Sequence, residues 1–176
     1  FFTISNNFIQ YYLSDVIGPD FSLNLLGKSI HVVENVESAV SFYNLVFNLV
    51  TIVSSPLGGW LADHYDRPTL CGITLVATAA ATFVTAAATS YTLVVWMSVV
   101  TGTASAFGGG ATYALTADAV SSTGDSRNGA RDFTILLTLA GNLPGIVVPS
   151  LFGWLLTLAP SRVVGYRVLW AIAGGC

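Results

Sequence analysis

Three long stretches of this chain contain no Asp, Glu, Lys or Arg: Ser38 to Ala62, Pro68 to Ala117 and Phe133 to Ser161. A helix needs about 20 apolar residues to cross a hydrocarbon core about 30 Å thick, and each run is at least that long. The middle run is about twice the length that one crossing needs. It therefore predicts two crossings joined by a tight turn at ATSYT, Ala88 to Thr92. Composition points the same way, with 9% charged and 53% hydrophobic residues and a mean hydropathy of +0.71. Soluble domains carry roughly 25% charge. The runs are continuous and lack the alternating segments of ~10 residues that mark a membrane barrel, so helices are expected.

The expected fold is an all-α membrane protein with helices at about 1–13, 38–61, 69–88, 91–117, 133–158 and 165–176. The first and last apolar runs are too short to span. With no initiator Met and no polar tail, both read as helices cut at the chain ends, leaving four complete crossings and two partial ones. Two polar connections stand out, Ser14 to Glu37 and Asp118 to Asp132. Cytoplasmic loops are normally enriched in Lys and Arg. Here Arg67, Arg127 and Arg131 fall on one side and Lys28, Arg162 and Arg167 on the other, so charge alone does not orient the chain.

Several function classes find no support. A net charge of -3 with six scattered basic residues gives no nucleic-acid surface. Cys71 and Cys176 form neither a disulfide framework nor a metal spacing, and His31 and His64 are isolated. Gly108 to Gly110 lacks the Lys and Ser or Thr of a phosphate loop. No nucleophile, base and acid stand at catalytic spacing, so no enzyme, cofactor or metal is expected. No acid or histidine lies in the middle of a crossing, where a proton relay would sit.

The helix faces carry the remaining information. Ser41, Asn44, Asn48, Thr51 and Ser55 recur at three- and four-residue steps, which puts them on one stripe ending near Gly58 and Gly59. Hydrocarbon offers no hydrogen-bond partner, so this stripe is expected to face protein or a wet cavity. Thr3, Asn6, Asn7 and Gln10 share a face of the first run, followed by Tyr11 and Tyr12. Thr138, Asn142, Gly145, Pro149 and Gly153 share a face of the run at 133–158. Ser98, Gly102, Ser105, Gly109, Thr112 and Thr116 form a small-residue seam of the kind that lets two helices approach closely. The run at 69–88 shows no strong polar face and is expected at the bundle periphery. Plain helix packing accounts for any one stripe. Taken together, amide-bearing faces on three helices suit a cavity for a neutral, hydroxyl-rich ligand.

The stretch GWLADHYDRPTL, Gly59 to Leu70, resembles the loop motif of the major facilitator superfamily, commonly written G-x-L-A-D-R-x-G-R-R. Gly59, Leu61, Ala62, Asp63 and Arg67 match it. His64, Asp66 and Pro68 depart from it and reduce its positive charge. ALTADAV followed by SRNGARDF is similar to the acid-then-arginine loop of these transporters, and LPGIVVPSLFGWLL and GYRVLWAIAG resemble the last two helices of a half. The resemblance covers nearly the whole chain. It implies one incomplete six-helix half over residues 1–176, with QYYLSDVIG, ARDF and LPGIVVP favouring the C-terminal half.

By the same resemblance the loops near Arg67 and Arg127 are cytoplasmic and the other transporter half is the missing partner. The bilayer and a small solute complete the set of partners. Gly59 is expected to allow close packing, and Asp63 to join a charge network with Arg67, Asp118, Arg127 and Arg131. Asn6, Asn7, Gln10, Asn44, Asn48, Tyr113 and Asn142 are the expected solute-lining residues. The implied function is secondary active or facilitative transport by alternating access, with a sugar-like solute favoured. A drug or metabolite exporter, or a non-transporting membrane sensor or accessory protein of the same fold, remains the alternative.

Overall fold

The computed structural model describes residues 9–17, 21–25, 28–31, 35–122, 135, 153, 154 and 156–175. Within them three long helices form the body: α1 (Val36–His64), α2 (Arg67–Ala86) and α3 (Tyr91–Ser122). A fourth, α4, covers Arg162–Gly175. Residues 9–12 are helical and run into a π-helical turn at Leu13–Ile17. The strands β1 (Ser22–Leu25) and β2 (Lys28–His31) pair antiparallel, with Ser22 opposite His31 and Leu25 opposite Lys28. The connection from Ser14 to Glu37, expected as a polar loop, thus contains a small hairpin.

Helix boundaries follow local chemistry. Glu37 lies in the first turn of α1, where the positive end of the helix dipole favours it. The helix ends at Tyr65, extended at φ -117 and ψ 162, whose N–H donates to the Leu61 carbonyl at 2.9 Å. Asp66 then caps α2 by accepting from the Thr69 N–H at 3.1 Å and from its hydroxyl at 2.5 Å. Pro68 sits in the first turn, where its missing N–H costs nothing. Asp66 and Pro68, read from sequence as a weakened motif, are therefore the start signal of α2. They explain why it begins at Arg67, two residues before the expected start. Ser161 caps α4 in the same way, accepting from the Val164 N–H at 3.3 Å, so that helix starts at Arg162 and not at Gly165.

The first three helices are each long and apolar enough to cross a membrane: Val36–His64, Arg67–Ala86 and Tyr91–Asp118. On α1, Leu45, Leu49, Ile52, Val53 and Trp60 are exposed. An apolar band of that extent is a liability in water and the normal outer surface of a helix in lipid. On α2, Ile73, Val76, Phe83 and Val84 are exposed, whereas Thr74, Ala81, Thr82, Thr85 and Ala86 are buried. That helix thus has one lipid-type face, as a peripheral helix should. Its inner face is a threonine row, which the sequence reading did not identify as a polar face.

Buried aromatic and aliphatic side chains gather at the end of the bundle holding the hairpin and the α2–α3 turn. There Tyr12 shares its hydroxyl proton between the Thr85 carbonyl at 2.6 Å and the Ala88 carbonyl at 3.2 Å. Tyr91 donates to the Ala39 carbonyl at 2.8 Å, and Thr92 to the Ser22 carbonyl at 3.1 Å. Phe21 packs edge-on against Tyr91 with ring centres 5.4 Å apart, and Tyr12 tilts against Trp170 at 5.6 Å. These contacts tie the first segment, the hairpin and α1 to α4 into one cluster. The opposite end of α1 and α2 carries Asp63, Asp66 and Arg67.

Candidate functional site

The helix α1 lies against α3 along a seam with little room for side chains. A Cβ on Gly58 would stand 2.5 Å from the Ala106 carbonyl oxygen, and one on Gly102 would stand 2.9 Å from the Phe47 carbonyl oxygen. On Gly110 it would be 3.2 Å from the Gly58 carbonyl oxygen. Thr51 donates to its own helix at Phe47 O, 2.8 Å away, and its hydroxyl is 3.3 Å from Gly102 O across the seam. Small residues drive such approaches in lipid because dispersion contacts replace the missing hydrophobic effect. Gly59, expected to be the packing glycine, is not in this seam, and a Cβ there meets nothing within 4 Å. Successive helix residues differ by about 100° in direction, so only one of two adjacent glycines can face the partner. The glycine that does so is Gly58.

The polar row of α1 flanks the seam. Asn44 is half-buried, whereas Ser41, Asn48 and Ser55 are exposed. Each of three side chains bonds back to its own helix: Ser41 to Glu37 O at 2.9 Å, Asn48 Nδ2 to Asn44 O at 2.8 Å and Ser55 to Thr51 O at 2.7 Å. Asn48 keeps its amide oxygen and one N–H unused among the described residues. Tyr113 is 80% exposed on α3. Gln10 borders a recess at the hairpin end with Ser14, Asn35 and Glu37. Asn6, Asn7 and Asn142 lie outside the described residues.

At the charged end, Arg67 joins three helix ends. It belongs to the first turn of α2, its Nε donates to the Ala62 carbonyl near the end of α1 at 3.2 Å, and its Nη1 pairs with Asp118 Oδ2 on α3. Asp63, the expected centre of the charge network, is exposed and makes no ion pair among the described residues. Arg127 and Arg131 lie outside them. His64 stacks on Trp60 with ring centres 4.5 Å apart, and its Nδ1 lies 2.8 Å from the Trp60 carbonyl. That contact ends α1 with an aromatic pair at the level of the charges, the usual place for such residues at a membrane edge. The Asp66 carboxyl is held below its ordinary range by the Thr69 hydroxyl and then by the Thr69 N–H.

Sequence reasoning missed a groove of about 290 Å³ among α1, α2 and α3. Its walls include Tyr43 and Phe47, Thr74 and Thr78, and Ser105 and Gly109. Neither this groove nor the recess at Gln10 contains Asn44, Asn48 or Tyr113. The lining candidates are thus spread along the bundle and not gathered in one pocket. The threonine period of α2 (Thr74, Thr78, Thr82) was the available signal. It is easily read as apolar because each hydroxyl folds back onto its own helix backbone.

Four observations now stand together: membrane-length helices, a glycine seam between α1 and α3, a polar row on an otherwise apolar helix, and an Arg67–Asp118 pair across helix ends. Comparison with known proteins gives the family. No curated protein and no solved structure matches the chain. The family model described as Major Facilitator Superfamily matches residues 3–175 of the 176. The chain belongs to the Major Facilitator Superfamily and is a multi-pass integral membrane protein of that transport family.

Proposed function

We propose that the protein moves a small, uncharged, hydroxyl-rich solute across the membrane by alternating access, by secondary active or facilitative transport, with sugar-like molecules as the favoured class. The observation that carries this reading is Asn48. It sits near the middle of a 29-residue apolar helix, is exposed, and has a carboxamide only partly used by its own backbone. Leaving an amide in hydrocarbon is costly, so such a group belongs on a water-filled route. Amides donate and accept at once, which matches hydroxyl groups and carries no net charge. In family members of this kind the solute site lies near the midplane between two halves. Asn48 lies near the middle of α1's length, the part of a crossing helix that would sit at that depth.

The charged end supports the gating part. Arg67 holds α2, the end of α1 and Asp118 of α3 in one arrangement, so separating these helix ends must break the pair. We read the loop at Tyr65 and Asp66 as cytoplasmic. The test is uptake of radiolabelled sugars and polyols into proteoliposomes holding the intact protein. Wild type should show saturable uptake, and Asn48→Leu should reduce it at equal protein content. Unchanged kinetics in the variant would remove Asn48 from the route, and no flux of any neutral solute would favour a sensor of the same fold.

A further inference from the structure

The groove among α1, α2 and α3 has a chemistry different from that of the amide row, and we propose that it is a separate site for a small, uncharged, largely apolar molecule carrying one hydroxyl donor, such as an aryl alcohol. Its volume, about 290 Å³, is that of a compact ligand site. Tyr43, Phe47 and Leu75 supply apolar surface, and no Asp, Glu, Lys, Arg or His lines it. Three of its seven polar side chains have already given their protons to their own helices, while among the described residues Tyr43 and Ser105 keep a hydroxyl proton. The Thr74 hydroxyl donates to Cys71 O at 2.9 Å, Thr78 donates to Thr74 O at 2.8 Å, and Thr101 donates to Met97 O. Once its proton is spent, each oxygen can still accept, and the methyl group adds apolar wall. A ligand that brings a donor on an apolar body matches that pattern. A polyol would leave most of its hydroxyls facing methyl groups and rings, and an acyl chain would leave the oxygens unmatched.

The glycines set the groove's width. A Cβ on Gly108 would meet Thr74 Oγ1 at 2.7 Å, so that position is closed by α2. A Cβ on neighbouring Gly109 meets nothing within 4 Å, because Gly109 opens into the groove. A larger side chain there fills the site without clashing at its Cβ, and most residues are better helix formers than glycine. Gly72 on α2 is equally open but does not line the groove. It provides a matched control.

The experiment is equilibrium binding of radiolabelled 2-naphthol to the purified intact protein, with the linear partition into detergent subtracted. Wild type should bind saturably at about one site per chain. Gly109→Leu should abolish the saturable component and Gly72→Leu should retain it. In parallel, 2-naphthol should slow alkylation of Cys71, which lines the groove and lies 3.6 Å from Thr112 Oγ1, as followed by peptide mapping. At about tenfold over the dissociation constant the rate should fall about tenfold, since only the free fraction reacts. Absence of saturable binding, or equal binding in Gly109→Leu, would overturn the proposal. Saturable binding lost equally in both leucine variants would also overturn it, by showing a response to helix disturbance alone. Solute uptake is read separately, so failure of the transport reading leaves this outcome unaffected.

Discussion

Arg67 and Asp118, 51 residues apart in the chain, meet at one end of the bundle, where Arg67 also reaches the Ala62 carbonyl of the preceding helix. One guanidinium therefore spans the ends of three helices. The two side chains are 31% and 62% exposed, so water and salt weaken the pair. A double-mutant cycle with Arg67→Gln and Asp118→Asn should give a coupling of about 0.2–1 kcal/mol in thermal stability, shrinking in high salt. Under the proposed alternating-access cycle the larger effect should be on turnover, because the pair would have to open and close in each cycle. Asp63→Asn, lacking a partner among the described residues, should leave that coupling unchanged.

Gly58 and Gly59 are adjacent yet differ in what they face. Gly58→Ala forces a Cβ to within 2.5 Å of a backbone oxygen and should destabilise the bundle by about 1–3 kcal/mol, read as a lower melting temperature in detergent. Gly59→Ala should be neutral or slightly stabilising, since it finds open space and gains helix propensity. Equal loss in both variants would contradict the seam.

Tyr12→Phe tests the aromatic end of the fold. It removes the hydroxyl shared by the Thr85 and Ala88 carbonyls, while Thr85 O keeps the Ala88 N–H at 3.0 Å. The expected cost is about 1–3 kcal/mol, measured by thermal melting, because the carbonyl of the fully buried Ala88 loses this donor.

Acid sensitivity of the loop end follows from Asp66. Its carboxyl titrates below the ordinary carboxylate range in the folded state, owing to the Thr69 hydroxyl and then the Thr69 N–H. A depressed folded pKa means that the cap contributes fully above the unfolded value and is lost as pH falls through the folded one. Stability measured downward from neutral pH should therefore hold until strongly acid conditions at this site. Asp66→Ala should lower stability at neutral pH and remove that part of the acid response.

These contrasts show what the sequence carried and what it did not. The charge-free runs and the break near Ala88 were legible because a bilayer imposes length and polarity directly. The cap at Asp66 was also legible as Asp-Arg-Pro-Thr, but reading it against a family pattern obscured its local role. Long-range bonds such as Tyr91 to Ala39 O depend on which helices become neighbours, and no local pattern encodes that. The choice of Gly58 over Gly59 depends on helix phase relative to a partner. The groove required the seam and the threonine row to be placed side by side. The hairpin at Ser22 to His31 lacks the length and alternation that mark longer strands.

The most direct measurement is water access along α1. In the intact protein with its native cysteines, Cys71 and Cys176 among them, replaced by serine, Asn48→Cys and Val53→Cys place single thiols on the amide row and on the apolar face of α1, where Val53 is 67% exposed. A charged, membrane-impermeant thiosulfonate should modify Asn48→Cys in liposomes, with protection by a transported solute, and leave Val53→Cys unreacted. Silence at both positions, or reaction at Val53→Cys alone, would contradict a solute route along the amide row.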